Sequence, residues 1–324
     1  MIELFAALGQ RLLHFGEDPA TQQIAREAVQ ANPWFTPREV HRSLRAIATE
    51  MLQPDALRAW LAAYPLPVAE SRNVLVVMAG NIPAVGFFDL LCVLCSGHAC
   101  WYKPSSKDEV LLRYLVAQIK ELAPATPVAA YDGSQSVEAV IVTGSDAAER
   151  HFRARYAGLP MLLRGSRRSV AVLSGTEQAE QLAGLADDIW SYSGLGCRNV
   201  SLVFAPEGAD FLLQMPDVNQ KYKNNYRQVK VLLQLNGTPF RDLGASVLVE
   251  RSDFPKPLSE IAVARYRSLE EVAAWLAEHD REIQCVVTEA LPHARRTAFG
   301  RAQAPGLTDW PDGVDVLDWL ANLA

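Results

Sequence analysis

The chain has 324 residues, of which 49% are hydrophobic and 21% are charged, and its formal net charge at pH 7 is -6. These values predict a soluble globular protein with a large core and two domains, and the acidic balance disfavours nucleic acid or an anionic membrane as its general partner. The five cysteines lack the spacing of a disulfide framework and no signal peptide opens the chain, so we expect reduced thiols in a cytoplasmic protein.

The first predicted elements are helices, which fill residues 1–64. Apolar side chains recur three and four positions apart through this stretch. Thr36, Pro37 and Glu39 supply the N-cap, the first-turn proline and the capping-box partner of one of these helices. We therefore predict an N-terminal helical segment.

From Asn73 onward, short β-branched runs alternate with helical patterns, which predicts a parallel sheet covered by helices. The stretch that begins at Asn73 is apolar enough to suggest a membrane span. However, Gly80 and Pro83 interrupt it after the length of one strand, and Asp89 lies inside the next apolar run. We predict a strand, a turn and a buried helix here, and no membrane span.

Four residues near the end of that helix, Cys92, Cys95, His98 and Cys100, have the chemistry of zinc ligands. Structural zinc sites normally use two ligand pairs separated by a longer loop, whereas these residues span one helix end and the start of a strand. We therefore interpret the cysteines as core thiols and predict no metal site.

A later strand ends in a turn that has the features of an anion site. Thr143, Gly144 and Ser145 stand between this strand and a helix, where free backbone N–H groups and the helix dipole favour negative charge. Simple N-capping by Ser145 explains the same pattern equally well. No strand in the chain runs into a G-x-G-x-x-G fingerprint, so the motif leaves both interpretations open.

A second strand ends at Lys103, with the hydroxyl groups of Ser105 and Ser106 close behind. This arrangement could contact a phosphate or a ribose. Taken alone, an exposed turn between a strand and a helix is the simpler interpretation.

Cys197 lies between a helix and a Val/Leu/Phe strand, in the stretch "SGLGCRNV". Gly194 and Gly196 allow unusual backbone angles and the close approach of a ligand, which gives the thiol the access that a nucleophile needs. The helix end that precedes Cys197 carries the wrong dipole sign for a thiolate, and Arg198 is the adjacent cation. The residues alone favour a core thiol and a nucleophile equally.

Taken in order, these stretches resemble the LuxC-type acyl-CoA reductases, a compact branch of the aldehyde dehydrogenase superfamily. The resemblance runs from "LRAWLAAYP" to the end of the chain, through "VMAGNIPAVGFFDLLCVLCSGH", "YKPSSKD", "VIVTGSD", "SGLGCRNVS" and "FGRAQAPGLTDWPDGVD". It implies an aldehyde dehydrogenase-like α/β fold. After the helical segment at 1–64, we expect a nucleotide-binding parallel-sheet domain at 65–174, a smaller α/β catalytic domain at 175–295, and a tail at 296–324 that packs back on the core.

The resemblance assigns roles to single residues. The turn "GLGC" is similar to the superfamily's catalytic loop, which makes Cys197 the attacking thiolate. The turn "GNIP" is similar to its Asn-x-Pro turn, which makes the Asn81 side chain an oxyanion donor beside the backbone N–H of Cys197. The expected reaction is reduction of a fatty acyl thioester, carried by CoA or by an acyl carrier protein, to the fatty aldehyde through a cysteine acyl-enzyme, with CoA as the leaving group.

The resemblance also assigns the cofactor contacts. Lys103 matches the lysine that contacts the adenosine ribose, and the turn Thr143, Gly144 and Ser145 matches the one beside the pyrophosphate. The other expected contacts are Ala79, Gly80, Ser105 and Ser106. Relatives that prefer NAD often have a glutamate where this chain has Ser106 followed by Lys107, so we expect NADPH, with NADH as the alternative.

Two departures from the superfamily matter. The block that supplies the water-activating glutamate is here "LLRGSRRSVAVL", with Arg164 and Arg167, which favours a reductase over a hydrolytic dehydrogenase. The "EExFGP" block that contacts the nicotinamide ribose is not recognisable, so this contact is unassigned.

The basic stretch "NQKYKNNYRQVK" is interpreted as a solvated segment or as a contact for CoA phosphates or a carrier protein. Two alternative functions stay open, that of an aldehyde-oxidising dehydrogenase and that of a non-catalytic nucleotide-binding protein. The oligomeric state also stays open, with a homo-oligomer as one alternative.

Overall fold

The computed structural model describes residues 1–144 and 146–323, and the chain divides into two compact units. The first unit consists of Met1–Ser166 and the C-terminal segment from Ala304, and the second unit consists of Arg167–Gln303. The predicted helical segment, the first predicted sheet and residues 304–324 of the predicted tail share one unit, whereas residues 296–303 belong to the other. The finer division into four segments stays a prediction.

The first unit begins with four α-helices. They are α1 (Ile2–Leu13), α2 (Pro19–Ala31), α3 (Pro37–Ala46) and α4 (Pro54–Leu61), with a π-helical turn at Ile47–Met51 between the last two. The predicted cap of α3 is confirmed, because the Thr36 side chain accepts from the Glu39 N–H while the Glu39 side chain accepts from the Thr36 N–H. This reciprocal pair satisfies two backbone donors that a helix start otherwise leaves unpaired.

The sheet of the first unit contains five parallel strands in the order β3-β2-β1-β4-β5. The strands are β1 (Asn73–Val77), β2 (Ala99–Lys103), β3 (Val128–Ala130), β4 (Ala139–Thr143) and β5 (Met161–Arg164). The connecting helices are α5 (Phe87–Ser96), α6 (Glu109–Leu122) and α7 (Asp146–Arg155). Val74, Leu75 and Val76 are each 0% exposed, as expected for a central parallel strand that is covered on both faces.

The second unit contains a seven-stranded sheet in the order β12-β11-β6-β7-β10-β9-β8, parallel except for the β8–β9 pair. Its strands are β6 (Arg168–Val172), β7 (Val200–Pro206), β8 (Arg241–Asp242), β9 (Val247–Glu250), β10 (Glu260–Tyr266), β11 (Ile283–Thr288) and β12 (Arg296–Thr297). Its α-helices are α8 (Ala179–Trp190), α9 (Gln220–Leu235) and α10 (Leu269–Glu278). Short 3-10 turns lie at Ser191–Gly194 and Asp280–Glu282.

The C-terminal segment packs on the core of the first unit. After a 3-10 turn at Pro311–Gly313 it ends in helix α11 (Val316–Ala321), whose apolar side chains join that core. The Tyr64 hydroxyl donates to the Asp315 carboxylate at 2.7 Å, and the His98 ring nitrogen Nε2 lies 3.1 Å from the Leu320 carbonyl oxygen. These contacts join the end of the chain to the N-terminal helices and to the sheet.

Helix α9 is the main element that the sequence analysis missed, because its basic residues suggested a solvated segment. Asn219 caps it by accepting from the Lys221 N–H, and Tyr222, Tyr226 and Val229 are buried along one face. Their spacing of four and three residues is the signal that could have found it. In the part of the chain that the structure describes, no helix is long and apolar enough to cross a membrane.

Candidate active site

The predicted cofactor residues of the first unit gather at one edge of its sheet. In the registers β1–β2 and β1–β4, Val77 pairs with Lys103 and with Val142, so the carboxyl ends of these three strands are level. Ala79 and Gly80 follow β1, and Thr143 ends β4. The strand order reverses beside β1, and ligands of open parallel sheets bind in the crevice at such a switch point.

The turn that follows β1 packs closely against the turn that follows β2. A Cβ atom placed on Gly80 would lie 2.7 Å from the Cβ of Ser105 and 3.2 Å from the Cβ of Asp108. No side chain fits at such distances without movement, which gives this glycine a packing reason as well as a place in the motif. The Gly80 carbonyl accepts from the Asn32 side chain at 3.2 Å, so helix α2 also holds the turn.

Asn81 is half-buried in the same turn, and its neighbours are held by buried polar groups. The Ser43 hydroxyl donates to the Pro83 carbonyl at 2.6 Å. The Asp108 carboxylate accepts from the N–H of Ala84, whose φ of 55° is left-handed, at 2.8 Å. Burial raises the pKa of Asp108 well above its ordinary value, and the hydrogen bond from Ala84 opposes this rise only in part.

Lys103, Ser105 and Ser106 differ in what they offer to a ligand. The Lys103 side chain is exposed, while its carbonyl accepts from the Met78 N–H at 2.9 Å and so ties β2 to the end of β1. Ser105 is half-buried, and its hydroxyl accepts from the Lys107 N–H at 3.3 Å. Ser106 and Lys107 are exposed on this turn.

A buried ion pair supports the turn that follows β4. Nη1 of Arg164, the last residue of β5, donates to both carboxylate oxygens of Asp89 in α5, at 2.8 and 2.9 Å. The Thr143 hydroxyl lies 3.3 Å from both groups, and the Arg164 carbonyl accepts from the Gly144 N–H at 3.2 Å. Ser145, the third predicted contact of this turn, lies outside the described residues.

Cys197 lies in the second unit, in the loop between α8 and β7. It is exposed, whereas the other four cysteines are buried. The loop leaves α8 through three consecutive left-handed residues, Tyr192, Ser193 and Gly194, with φ of 54°, 55° and 68°. The glycine was predicted to allow such a conformation, but the sequence gives no signal for the other two, because left-handed residues other than glycine are uncommon.

The side chain of Asn199 holds this loop against the end of α8. Its Nδ2 lies 3.1 Å from the Asp188 and Ile189 carbonyl oxygens and 2.9 Å from that of Ser191, and its Oδ1 accepts from the Gly196 N–H at 2.7 Å. Asn199 is 4% exposed, so its side-chain hydrogen bonds are made away from water. The sequence analysis did not identify this residue.

Asp188 and Ser169 complete the support of the loop. The fully buried Asp188 carboxylate accepts from the backbone N–H groups of Gly300 and Ala302, at 2.7 and 3.0 Å, and so fixes the stretch "FGRAQ" beside α8. The Ser169 hydroxyl on β6 donates to the Cys197 carbonyl at 2.9 Å and accepts from the Cys285 N–H at 3.2 Å. The Cys197 backbone is thus tied to the sheet.

The residues that were weighed as zinc ligands have separate structural roles. Burial raises the pKa of Cys95 to about 12 and also raises those of Cys92 and Cys100. The His98 ring accepts from the Arg72 N–H at 3.0 Å through Nδ1 and faces the Leu320 carbonyl through Nε2. Among the residues that the structure describes, no cluster of three or more His, Cys, Asp or Glu side chains could hold a metal ion.

The two sheet-containing units have the fold of aldehyde dehydrogenases. Solved structures agree with this class at low sequence identity. NADP-dependent glyceraldehyde-3-phosphate dehydrogenase from Bacillus halodurans, complexed with NADP, is similar with a TM-score of 0.61 and 12% identity, over 89% of this chain and 73% of that chain.

Two further structures show the same fold. Mycobacterium tuberculosis aldehyde dehydrogenase, complexed with NAD+, is similar with a TM-score of 0.57 and 15% identity, over 84% of this chain and 69% of that chain. A propionaldehyde dehydrogenase from the Clostridium phytofermentans fucose utilisation microcompartment is similar with a TM-score of 0.57 and 11% identity, over 87% of this chain and 76% of that chain.

Within this class, the sequence matches the family described as acyl-CoA reductase (LuxC) over residues 17–215, and the chain belongs to that family. No curated protein matches the sequence. The predicted resemblance and the predicted fold class are confirmed, and the family makes the protein an oxidoreductase of the acyl-CoA and aldehyde couple.

Proposed function

We propose that the protein reduces an acyl thioester to an aldehyde, with Cys197 as the nucleophile and a reduced nicotinamide cofactor as the hydride donor. The observation that carries this proposal is the exposure of Cys197 on a loop whose backbone is fixed by buried hydrogen bonds, in a member of the acyl-CoA reductase family. A nucleophile needs both access to the substrate and a fixed position, and the buried cysteines lack the first of these.

The residues of the first unit fit a dinucleotide. The Gly80 turn packs closely against Ser105 and lies at the switch point of the sheet, where ligands of open parallel sheets bind. Nε and Nη2 of Arg164 are buried close to the Thr143 turn and have no hydrogen-bond acceptor among the described residues. We propose that Ala79, Gly80, Lys103 and Ser105 hold the adenosine part, and that Thr143, Gly144 and Ser145 hold the pyrophosphate.

We further propose that the cofactor is NADPH. Ser106 and Lys107 are both exposed on the turn that follows β2, where relatives that prefer NAD often have a glutamate. A cation and a hydroxyl group suit the 2'-phosphate of NADPH, whereas a carboxylate would repel it. The structures with bound cofactor include one NADP and one NAD+ complex, so the fold accommodates both.

In the proposed reaction the Cys197 thiolate attacks the thioester carbonyl, and the bond to the CoA sulfur breaks as the Cys197 thioester forms. CoA leaves as a thiolate and takes a proton from solvent. The Asn81 side chain and the Cys197 N–H donate to the oxyanion of the tetrahedral intermediate. A bound nicotinamide cofactor would supply the hydride that reduces this acyl-enzyme, and the thiohemiacetal left on Cys197 would then collapse to the aldehyde and the Cys197 thiolate.

The arginines that stand where the superfamily has its water-activating glutamate favour reduction over hydrolysis. Arg164 is 3% exposed and its guanidinium pairs with Asp89, while Arg167 donates to the Ile283 carbonyl at 3.2 Å. Both side chains are therefore used as structural donors. A cationic donor cannot remove a proton from water at neutral pH, so this stretch supplies no base for deacylation.

We propose CoA as the thioester carrier, with a carrier protein as the alternative. The basic residues of α9 give weak support to either carrier. Lys223 pairs with Asp217 at 2.7 Å, and Lys230 pairs with Asp242 at 2.6 Å. Because these cations already have carboxylate partners, the contact of α9 with CoA phosphates or with a carrier protein stays a prediction.

The test is the loss of reduced-nicotinamide absorbance when purified protein is mixed with NADPH or NADH and acyl-CoAs of increasing chain length. The variant Cys197→Ala is compared with Cys95→Ala, which removes a buried thiol elsewhere. We expect aldehyde and free CoA in equal amounts from the wild type and from Cys95→Ala, and no aldehyde from Cys197→Ala, which still binds NADPH. Turnover by Cys197→Ala, or fatty acid as the product, would contradict the proposal.

A further inference from the structure

Two buried polar side chains hold the backbone on both sides of Cys197. The Asn199 side chain accepts from the Gly196 N–H at 2.7 Å, and the Asn199 backbone N–H donates to the Gly196 carbonyl at 3.1 Å. Ser169, which is 0% exposed, donates to the Cys197 carbonyl at 2.9 Å. These three bonds fall on consecutive peptide groups, so they fix the backbone that carries the thiol.

The peptide group between Gly196 and Cys197 contains the proposed oxyanion donor. A trans peptide is planar, so its C=O and its N–H point in opposite directions. The Asn199 backbone N–H holds the Gly196 carbonyl, so the position of Asn199, which its side chain fixes, sets the direction of the Cys197 N–H. A donor of this kind is effective only when it points to the place where negative charge develops.

The Asn199 side chain is itself fixed by the end of α8. Its amide nitrogen faces three carbonyl oxygens, those of Asp188, Ile189 and Ser191, and its oxygen faces an N–H group. This pattern of donors and acceptors determines which atom is the nitrogen, and an inverted carboxamide would lose every contact. The rigid helix end therefore sets the position of Gly196.

We propose that Asn199 and Ser169 are positioning residues for the reaction at Cys197, which orient its backbone N–H and hold its carbonyl against β6. This inference rests on the proposed function. It goes beyond the sequence motifs, because Asn199 acts through its side chain from two positions after the cysteine and Ser169 acts from another strand. Neither side chain needs to contact the substrate.

The test uses the full chain and the variants Asn199→Ala, Asn199→Asp, Ser169→Ala and, as a matched control, Asn322→Ala. Asn322 also donates to a carbonyl near a helix end, that of Asp318 in the first unit, at 2.8 Å. The measurements are kcat, the KM values for NADPH and acyl-CoA, and the melting temperature. Asn199→Asp keeps the acceptor for Gly196 but places a negative charge against three carbonyls.

We expect kcat to fall about 100-fold in Asn199→Ala and at least as far in Asn199→Asp, and about 10-fold in Ser169→Ala, because small displacements of reacting groups have effects of this size. The KM for NADPH should stay within about twofold of wild type, since the proposed cofactor contacts lie in the other unit. Asn322→Ala should keep the wild-type kcat. Wild-type kcat in Asn199→Ala and Ser169→Ala would overturn the inference.

If Asn199→Ala does not fold, Ser169→Ala decides, because it removes only the one oxygen atom that donates to the Cys197 carbonyl. Failure of the proposed function is recognised separately, by absence of turnover in the wild type or by activity of Cys197→Ala. In that case the rate of Cys197 alkylation by iodoacetamide, followed by mass spectrometry, replaces kcat. We expect it to change about threefold or more in both variants but not in Asn322→Ala; unchanged rates would overturn the inference.

Discussion

Arg164 and Asp89 form an ion pair that is almost completely buried, with Nη1 at 2.8 Å from one carboxylate oxygen and each residue 3% exposed. The pair joins the end of β5 to helix α5, across the end of β4. Removing one member of such a pair leaves an uncompensated buried charge, whereas replacing both members with apolar residues removes the charges together.

We therefore predict that Arg164→Met destabilises the protein by about 3–5 kcal/mol. The double variant Asp89→Leu/Arg164→Met should recover a large part of this loss. Arg153→Gln is the control, because Arg153 pairs with Glu149 on an exposed helix face and such pairs contribute roughly 0–1 kcal/mol. Urea denaturation of the four proteins measures these differences, and equal stability of Arg164→Met and wild type would contradict the prediction.

The buried carboxyl group of Asp108 makes stability depend on pH. Its pKa is raised by burial in the folded protein, so the folded state binds the proton more tightly than the unfolded state does. Stability from this group is therefore complete below the unfolded pKa of about 3.9 and is lost as pH rises through the folded pKa. The neutral variant Asp108→Asn cannot lose a proton, and it keeps an oxygen for the Ala84 N–H.

We predict that Asp108→Asn melts at a higher temperature than wild type at pH 8, and that the difference shrinks as pH falls toward 5. Thermal denaturation monitored by circular dichroism at several pH values measures it. Asp55→Asn is a suitable control, since Asp55 is exposed at the start of α4. A pH-independent difference would show that the carboxyl group does not titrate as the burial implies.

Thiol reactivity should separate Cys197 from the other cysteines. Only thiolates react with iodoacetamide, and burial raises the pKa of Cys95 to about 12. We predict that native protein at pH 8 is alkylated first at Cys197, and that Cys92, Cys95, Cys100 and Cys285 react only after denaturation. Mass spectrometry of peptic fragments reads out the order. Alkylation of a buried cysteine at the same rate as Cys197 would argue against the described packing.

The Gly80 turn should not tolerate a side chain. In Gly80→Ala the new Cβ would lie 2.7 Å from the Cβ of Ser105, so one of the two turns must move. We predict a loss of NADPH affinity of about 10-fold or more, measured by fluorescence titration. Gly306→Ala is the matched control, because the atom nearest its added Cβ is 3.6 Å away and normal affinity is expected there. Wild-type affinity in Gly80→Ala would remove this turn from the proposed cofactor site.

The sequence determined those features that depend on neighbouring residues. Hydrophobic periodicity predicted the N-terminal helices and the strands, because burying one face is a local pattern. The capping box at Thr36 and Glu39 was readable because its members are three residues apart. The places of the turns at Gly80, Lys103, Thr143 and Cys197 could be predicted, because each turn lies where a predicted strand or helix ends.

Only the tertiary structure decided which distant side chains meet. Arg164 and Asp89 are 75 positions apart, and Ser169 and Cys197 are 28 positions apart, so their contacts depend on strand order and on which helix covers which face. At the start of α10, Ser268 caps the helix by accepting from the Glu271 N–H, whereas the Glu271 carboxylate accepts from the N–H of Arg267. Partner choice among polar groups is settled by the geometry of the folded chain, because a buried donor or acceptor takes the partner that the surrounding backbone brings within reach.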